Sequence, residues 1–232
     1  VTATSGTLNA SASLTISQPN TGPTIATPAA ANPNPISATT TALSVLGDDD
    51  GGEGNLSYTW TTTGTPPATV TFSANGSNAA KATTATFSKA GSYAFQVTVK
   101  DQGNLTATSA VTVTVNQTLT SIVVSPSSAT VSPSATQQFT ATARDQFATN
   151  LTTQPTFTWS VSGGGTISSS GLFTAGTSAG GPYAVTAASG GKSGTASITV
   201  AQSIIHQINC GGSASSPYSA DQYYSGGTAR TV

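Results

Sequence analysis

Four of the chain's seven carboxylates, Asp48, Asp49, Asp50 and Glu53, stand within six residues of one another, with Gly51, Gly52 and Gly54 among them. Such crowding is repulsive unless something offsets it. Calcium takes about six to eight hard oxygen ligands, carboxylates and backbone carbonyls included, and the glycines would let the loop curl around an ion. The spacing is not that of an EF-hand. The alternative reading is an acidic turn whose charge is tolerated in water.

Other chemistry finds little material. Nucleophilic catalysis by Ser or Cys usually needs a His base held by an acid, and the one histidine, His206, lies in the apolar run Ile204-Ile205-His206. The single cysteine, Cys210, stands four residues on, but a metal would need further ligands of that kind. Asp145 and Asp221 are isolated and give no sign of a facing pair of carboxylates for glycoside hydrolysis. Gly176-Thr177-Ser178-Ala179-Gly180 has the Gly-X-Ser-X-Gly spacing but opens no helical stretch, so it is not read as a nucleophile elbow, and there is no phosphate loop. The expectation is a protein that is not an enzyme, with no catalytic and no cofactor-binding residues.

Charge and composition exclude further classes. Six Lys and Arg, scattered from Lys81 to Arg230, cannot form the basic stripe that neutralises a phosphate backbone, so nucleic acid is not an expected partner. No apolar run approaches the roughly 18 residues of a membrane span. One cysteine rules out an internal disulfide framework. The sequence opens at Val1 and contains no Met, which reads as a processed or cut start, and the scarcity of Lys, Arg and Met suits an extracellular life. Six Asn-X-Ser/Thr sequons decide nothing, because about four of the eleven Asn would match by chance in so hydroxyl-rich a chain.

The elements that must position these groups are strands. Charged residues make up 6% of the 232 positions, against roughly 25% in an average domain, while Ser and Thr supply 77. Hydroxyls must therefore keep the chain soluble. Apolar residues alternate with Thr, Ser or Ala, as on strands with one buried face: Tyr93, Phe95, Val97 and Val99 share one parity, as do Val111, Val113 and Val115, then Phe157, Trp159 and Val161, then Ala196, Ile198 and Val200. Turn signals such as Asn75-Gly76 and Gly163-Gly164-Gly165 separate the runs, and no helix longer than one turn is expected.

Internal repetition sets the boundaries. Residues 1–18 and 185–202 share nine identities in eighteen gapless positions. Tyr58-Thr59-Trp60-Thr61 corresponds to Phe157-Thr158-Trp159-Ser160, each followed by Gly-X-Tyr-Ala at Gly91 and Gly181. The expected fold class is all-β, tandem immunoglobulin-like β-sandwiches. In such a sandwich a Trp on a central strand packs between the sheets, and the Tyr of Gly-X-Tyr ties a loop back to the backbone as a tyrosine corner. Trp60 and Trp159 fit the first role, Tyr93 and Tyr183 the second. Phe95 and Val185 stand where antibody domains carry a disulfide cysteine. A sugar-binding platform is the alternative for these aromatics, but their parity matches that of their apolar neighbours.

Family resemblance then becomes specific. Residues 19–117, with Gly47-Asp48-Asp49-Asp50-Gly51-Gly52, then Leu56-Ser57-Tyr58-Thr59-Trp60, then Phe87 to Tyr93 and Val99-Lys100-Asp101, resemble a PKD-type domain. Residues 118–202, with Leu119-Thr120-Ser121-Ile122-Val123-Val124-Ser125-Pro126 and Ser170-Gly171-Leu172-Phe173-Thr174, resemble the bacterial Ig-like group 2 domain. Residues 203–232, with Ile208-Asn209-Cys210-Gly211-Gly212 and Ala220-Asp221, are similar to the opening of a malectin-like carbohydrate-binding domain, and residues 1–18 read as the closing strands of a preceding Ig-like domain. The PKD resemblance implies calcium held by the acidic loop together with Asp101, with Asn20 as a counterpart of the family's asparagine.

The function these resemblances imply is a set of non-catalytic spacer or accessory modules in a secreted or cell-surface bacterial protein that binds or degrades polysaccharide. The alternative is a structural subunit of an extracellular adhesin or filament, assembled by strand exchange between chains. Expected partners are neighbouring domains of a longer chain, polysaccharide, and copies of the protein itself, for which residues 1–18 and the segment Ser203 to Ile208 of a second molecule would pair.

Overall fold

The computed structural model describes residues 19–202 in full and residues 2–5 and 8–11 as backbone strands. The expectations placed on residues 203–232, including the malectin-like opening, His206, Cys210, Asp221 and the pairing segment Ser203 to Ile208, lie outside the described residues.

Alternation of apolar and β-branched polar residues dictates strands, and strands make up nearly all of the regular structure. In chain order they are β1 (Thr2–Ser5), β2 (Leu8–Ser11), β3 (Thr24–Asn32), β4 (Thr40–Asp48), β5 (Ser57–Thr63), β6 (Thr71–Phe72), β7 (Ala82–Thr86), β8 (Gly91–Lys100) and β9 (Thr106–Val115). There follow β10 (Ser121–Ser125), β11 (Ser128–Val131), β12 (Thr136–Gln138), β13 (Thr140–Arg144), β14 (Thr158–Val161), β15 (Gly165–Ile167), β16 (Leu172–Ala175), β17 (Gly180–Ser189) and β18 (Lys192–Val200). Two short 3-10 segments, Glu53–Asn55 and Asn78–Lys81, are the helical elements among the described residues.

Contacts divide the chain into two compact units, Val1–Ile122 with Thr142–Pro155, and Val123–Ala141 with Thr156–Val232. In the first unit a four-stranded sheet of order β3-β4-β7-β6 faces a three-stranded sheet of order β5-β8-β9. A second set of sheets, β11-β18-β17-β14 and β12-β16-β15, forms another sandwich, and β10 pairs with β13. The fold is therefore all-β and built of immunoglobulin-like sandwiches in tandem. The small sheet β1-β2 pairs Thr2 with Ser11 and Ser5 with Leu8, and the hairpin β17-β18 pairs Thr186 with Thr195 and Ser189 with Lys192, the equivalent positions of the sequence repeat.

The core of the first unit follows the parity of the sequence. Tyr93, Phe95, Val97 and Val99 on β8 are buried, their partners on β5 include Tyr58 and Trp60, and Val113 and Val115 close the layer from β9. Phe87 stacks obliquely on Tyr93 at 4.7 Å between centroids, and Phe72 meets Phe95 edge-on at 5.9 Å. The facing sheet brings Leu43 and Val45. Packing at the end of β4 is close enough to require glycine, since a Cβ at Gly47 would lie 2.7 Å from Leu56 Cδ1.

Trp60 is the largest of the fully buried side chains, and its Nε1–H donates to the carbonyl of Ala80 at 2.8 Å. Tyr93 forms the expected corner, its hydroxyl donating to the Lys89 carbonyl at 2.8 Å. The second sandwich departs from this pattern. Trp159 is only half-buried, over Gly171, and Phe139, Phe173 and Ile198 fill the centre instead. Tyr183 lays its ring against Gly163, Gly164 and Gly180, where added Cβ atoms would clash with it, and makes no corner bond among the described hydrogen bonds. Phe95 and Val185, in the positions of the antibody disulfide, are both buried.

Trp60→Ala should therefore cost about 3–5 kcal/mol, as for other large buried aromatics, and Trp159→Ala clearly less. Urea denaturation of both variants checks this, and equal losses would show that half-burial of Trp159 understates its packing.

Candidate functional site

The acidic loop leaves the end of β4 and turns at Gly52, whose φ of 87° places it in the left-handed region that glycine tolerates. Backbone N–H groups answer the crowded charges. Asp48 accepts from Asp49 N at 3.1 Å, Asp49 Oδ2 accepts from Gly51 N at 3.0 Å, and Asp50 Oδ2 accepts from Thr21 N at 3.4 Å. Asp49 Oδ1 is buried and has no hydrogen-bond partner among the described residues. Asp48, Asp49 and Asp50 line an open cleft of about 270 Å³ together with Thr21, Gly22 and Thr24.

Glu53 points elsewhere. Its 3-10 segment turns the carboxylate toward Lys81, whose Nζ lies 2.9 Å from Oε2, and toward Tyr58 and Asn78, which donate to Oε1 at 2.9 and 3.1 Å. Asn78 also donates to the carbonyls of Glu53 and Leu56 and accepts from Lys81 Nζ. The hydrogen bond from Lys81 is the main cause that holds the Glu53 carboxyl below its usual range, against an opposing effect of burial. Burial is also the main cause that pushes the Tyr58 hydroxyl above its usual value. Tyr58 in turn accepts from Gly47 N at 3.1 Å, so this cluster fastens the acidic loop to the core.

Asp101 is buried at the start of the β8–β9 turn, where Oδ1 accepts from Leu105 N at 2.7 Å and Oδ2 from Asn20 Nδ2 at 2.9 Å. Gly103 permits that approach, since a Cβ there would run into Asn20 Nδ2. The five expected ligands are thus not brought to one point. Three line one cleft, Glu53 is committed to Lys81, Tyr58 and Asn78, and Asp101 is committed to Asn20 and Leu105. No group of three or more His, Cys, Asp or Glu comes together as a metal site among the described residues.

Two features escaped the sequence. The Glu53 partners lie up to 28 positions away, and no local pattern marks them. Asp145, read as isolated, is buried in the first unit and organises a turn: Oδ1 accepts from Phe147 N at 2.9 Å and Thr149 N at 3.0 Å, and Oδ2 from Gln117 Nε2 at 2.9 Å. The Asp-Gln-Phe-Ala-Thr sequence fits an Asx-type turn, which is the signal that could have found it.

A two-sheet sandwich in which Glu53, Asp101 and Asp145 are each engaged by neighbouring side chains or backbone has the character of an immunoglobulin-like module. Residues 32–115 match the family described as K319L-like, PKD domain, which supports the PKD-type reading of this part of the chain. No curated protein matches the sequence. Among solved structures, Drosophila N-cadherin EC1-4 is similar at 15% identity with a TM-score of 0.48, over 73% of this chain and 46% of that one. The PKD domain from the KIAA 1837 protein is similar at 28% identity with a TM-score of 0.27, over 43% of this chain and 91% of that one. The surface layer protein SbsC, domains 1-6, is similar at 22% identity with a TM-score of 0.30, over 72% of this chain and 24% of that one. This chain thus spans less than half the length of the N-cadherin and SbsC structures. No helix of the described residues is long and apolar enough to cross a membrane.

The lowered Glu53 carboxyl predicts a pH dependence. A depressed acid stabilises the fold above its ordinary pKa and loses that contribution as pH falls through the lower folded value. Glu53→Gln should flatten the stability profile across that acidic window and leave its slope at neutral pH unchanged, as followed by thermal melts from neutral to acid pH. A variant as acid-sensitive as the parent would show that the pair with Lys81 carries no linkage.

Proposed function

We propose that the chain is a set of non-catalytic Ig-like spacer or accessory modules of a secreted or surface-attached bacterial protein that binds or degrades polysaccharide. The observation that carries this reading is the PKD-type match over residues 32–115, on a sandwich in which Glu53 and Asp101 are engaged by their own neighbours. The resemblance of residues 118–202 to the bacterial Ig-like group 2 domain and of residues 203–232 to a malectin-like opening supports the polysaccharide link by association. The alternative, an adhesin or filament subunit built by strand exchange, draws on the pairing expected between residues 1–18 and the segment Ser203 to Ile208 of a second molecule, which lies outside the described residues.

The whole 232-residue chain, incubated with insoluble cellulose, chitin and a pectin gel, should stay in the supernatant if it is a spacer, and should remain monomeric in sedimentation velocity. Retention on one polysaccharide would make it a binding module in its own right. Concentration-dependent polymers would favour the filament reading.

Calcium is a second reading, for which the buried, unpartnered Asp49 Oδ1 is the specific support. Asp48, Asp49 and Asp50 would supply the carboxylates from one side of residues 20–21, and Asp101 would join only by exchanging Asn20 or Leu105 for the ion. Glu53 stays outside the set. Added calcium should then raise the melting midpoint and chelator reverse it, by an amount set by concentration over affinity. An unchanged midpoint in both arms leaves the acidic loop as a turn held by backbone N–H groups.

A further inference from the structure

Strand β5 carries Tyr58 and Trp60 and lies at the edge of its sheet, so the backbone groups it turns away from β8 need partners. The segment 75–77 supplies them. Tyr58 N–H donates to the Ser77 carbonyl at 3.2 Å, and Gly76 N–H donates to the Tyr58 carbonyl at 2.8 Å. One step along the strand, the backbone is replaced by a side chain. Trp60 N–H donates to Asn75 Oδ1 at 2.7 Å, and Asn75 Nδ2 donates to the Trp60 carbonyl at 3.0 Å. The amide of Asn75 is the seal on this position of the edge.

Asn75 is also followed by glycine, the only Asn-Gly pair among the eleven asparagines of the chain. Its carboxamide is folded back on its own backbone, with Gly76 N 3.1 Å from Oδ1. Gly76 has no side chain to obstruct ring closure, and its φ of 73° lies in the left-handed region. What restrains the reaction is the bond from Gly76 N–H to the Tyr58 carbonyl, which must open before that nitrogen can lose its proton and attack.

We propose that Asn75 is a spontaneous deamidation site whose chemistry is gated by, and then irreversibly opens, the β5 edge. The Gly76 nitrogen attacks Asn75 Cγ, a C–N bond forms, the bond to the amide nitrogen breaks, and ammonia leaves. Water then opens the resulting succinimide at either carbonyl, giving aspartate or isoaspartate. Aspartate places a carboxylate oxygen against the Trp60 carbonyl where a donor stood, so two acceptors face each other. Isoaspartate lengthens the main chain by one methylene and carries Gly76 and Ser77 out of register with Tyr58. Either product leaves the strand of the buried tryptophan unsealed.

The test is an ageing series of the full chain at mildly alkaline pH, with a parallel sample unfolded in urea. Peptide masses locate each gain of one mass unit, and hydrogen exchange follows the amides of Tyr58 and Trp60. The expected result is conversion at Asn75 ahead of every other asparagine, faster as pH rises, slower than in urea, with exchange at Trp60 quickened about tenfold or more in the converted chain. An Asn75→Asp variant should reproduce the fast exchange, and the aged parent chain supplies the same reading should that variant fail to fold. An Asn75 still intact when the urea sample has converted overturns the proposal, and so does a converted chain whose Trp60 amide exchanges at the parent rate.

Discussion

A primary amide presents N–H donors and a carbonyl acceptor in one plane, the complement of a peptide group, and this chain uses that complement to end its sheets. Asn75 pairs with both backbone groups of Trp60. Asn34 repeats the device on β9, donating to the Thr112 carbonyl at 2.7 Å and accepting from Thr114 N at 3.1 Å. Gln154 repeats it on β13, accepting from Ala143 N at 2.7 Å and donating to the Ala143 carbonyl at 3.1 Å. Proteins commonly guard sheet edges with lysine or other charges. A chain with six Lys and Arg has few to place there, and side-chain amides close these positions by satisfying them.

The core rests on this arrangement. No disulfide can cross the sheets, so apolar burial must hold them, at about 1.5–3 kcal/mol for each large side chain. That burial is favourable only if the polar backbone carried inward with it finds partners. Trp60 shows the coupling in one residue: its ring fills the centre, its indole N–H reaches the Ala80 carbonyl, and its main chain is closed by Asn75. In the second sandwich the equivalent tryptophan is half-buried and the phenylalanines Phe139 and Phe173 occupy the middle. The same motif therefore serves two cores of different construction.

Parity made the strands legible, because a period of two assigns Tyr93, Phe95, Val97 and Val99 to one face whatever the partner strands are, and all four are buried. The tyrosine corner at Tyr93 was legible for a related reason, since its bond to Lys89 spans only four residues. The direction of Glu53 was not. Its placement in a run of acids suggested a common ligand, whereas its energy is set by Lys81, Tyr58 and Asn78, which only the tertiary fold brings near. The bond that Asp101 accepts from Asn20 spans 81 positions and likewise comes only from the tertiary fold. Trp159 shows the limit of motif transfer, since the neighbours that decide its burial are not part of the repeated tetrapeptide.

The surface follows from the same scarcity of charge. On the outer face of β5-β8-β9, Thr59 is paired with Thr98 and Thr98 with Thr108, while Thr61 stands beside Gln96 and Ser57 beside Lys100. Threonine suits this position twice over, because its β-branched carbon favours the strand and its hydroxyl keeps the outer face hydrated. Among the described residues of this face the charged side chain in these pairs is Lys100, and the rest are mainly hydroxyl-bearing. The exposed large apolar residues Leu46, Val123 and Leu172 lie on three different strands and Leu105 in the β8–β9 turn. Under the proposed reading, outer strands that offer mainly hydroxyls would let the module stand between other domains without competing for their ligands.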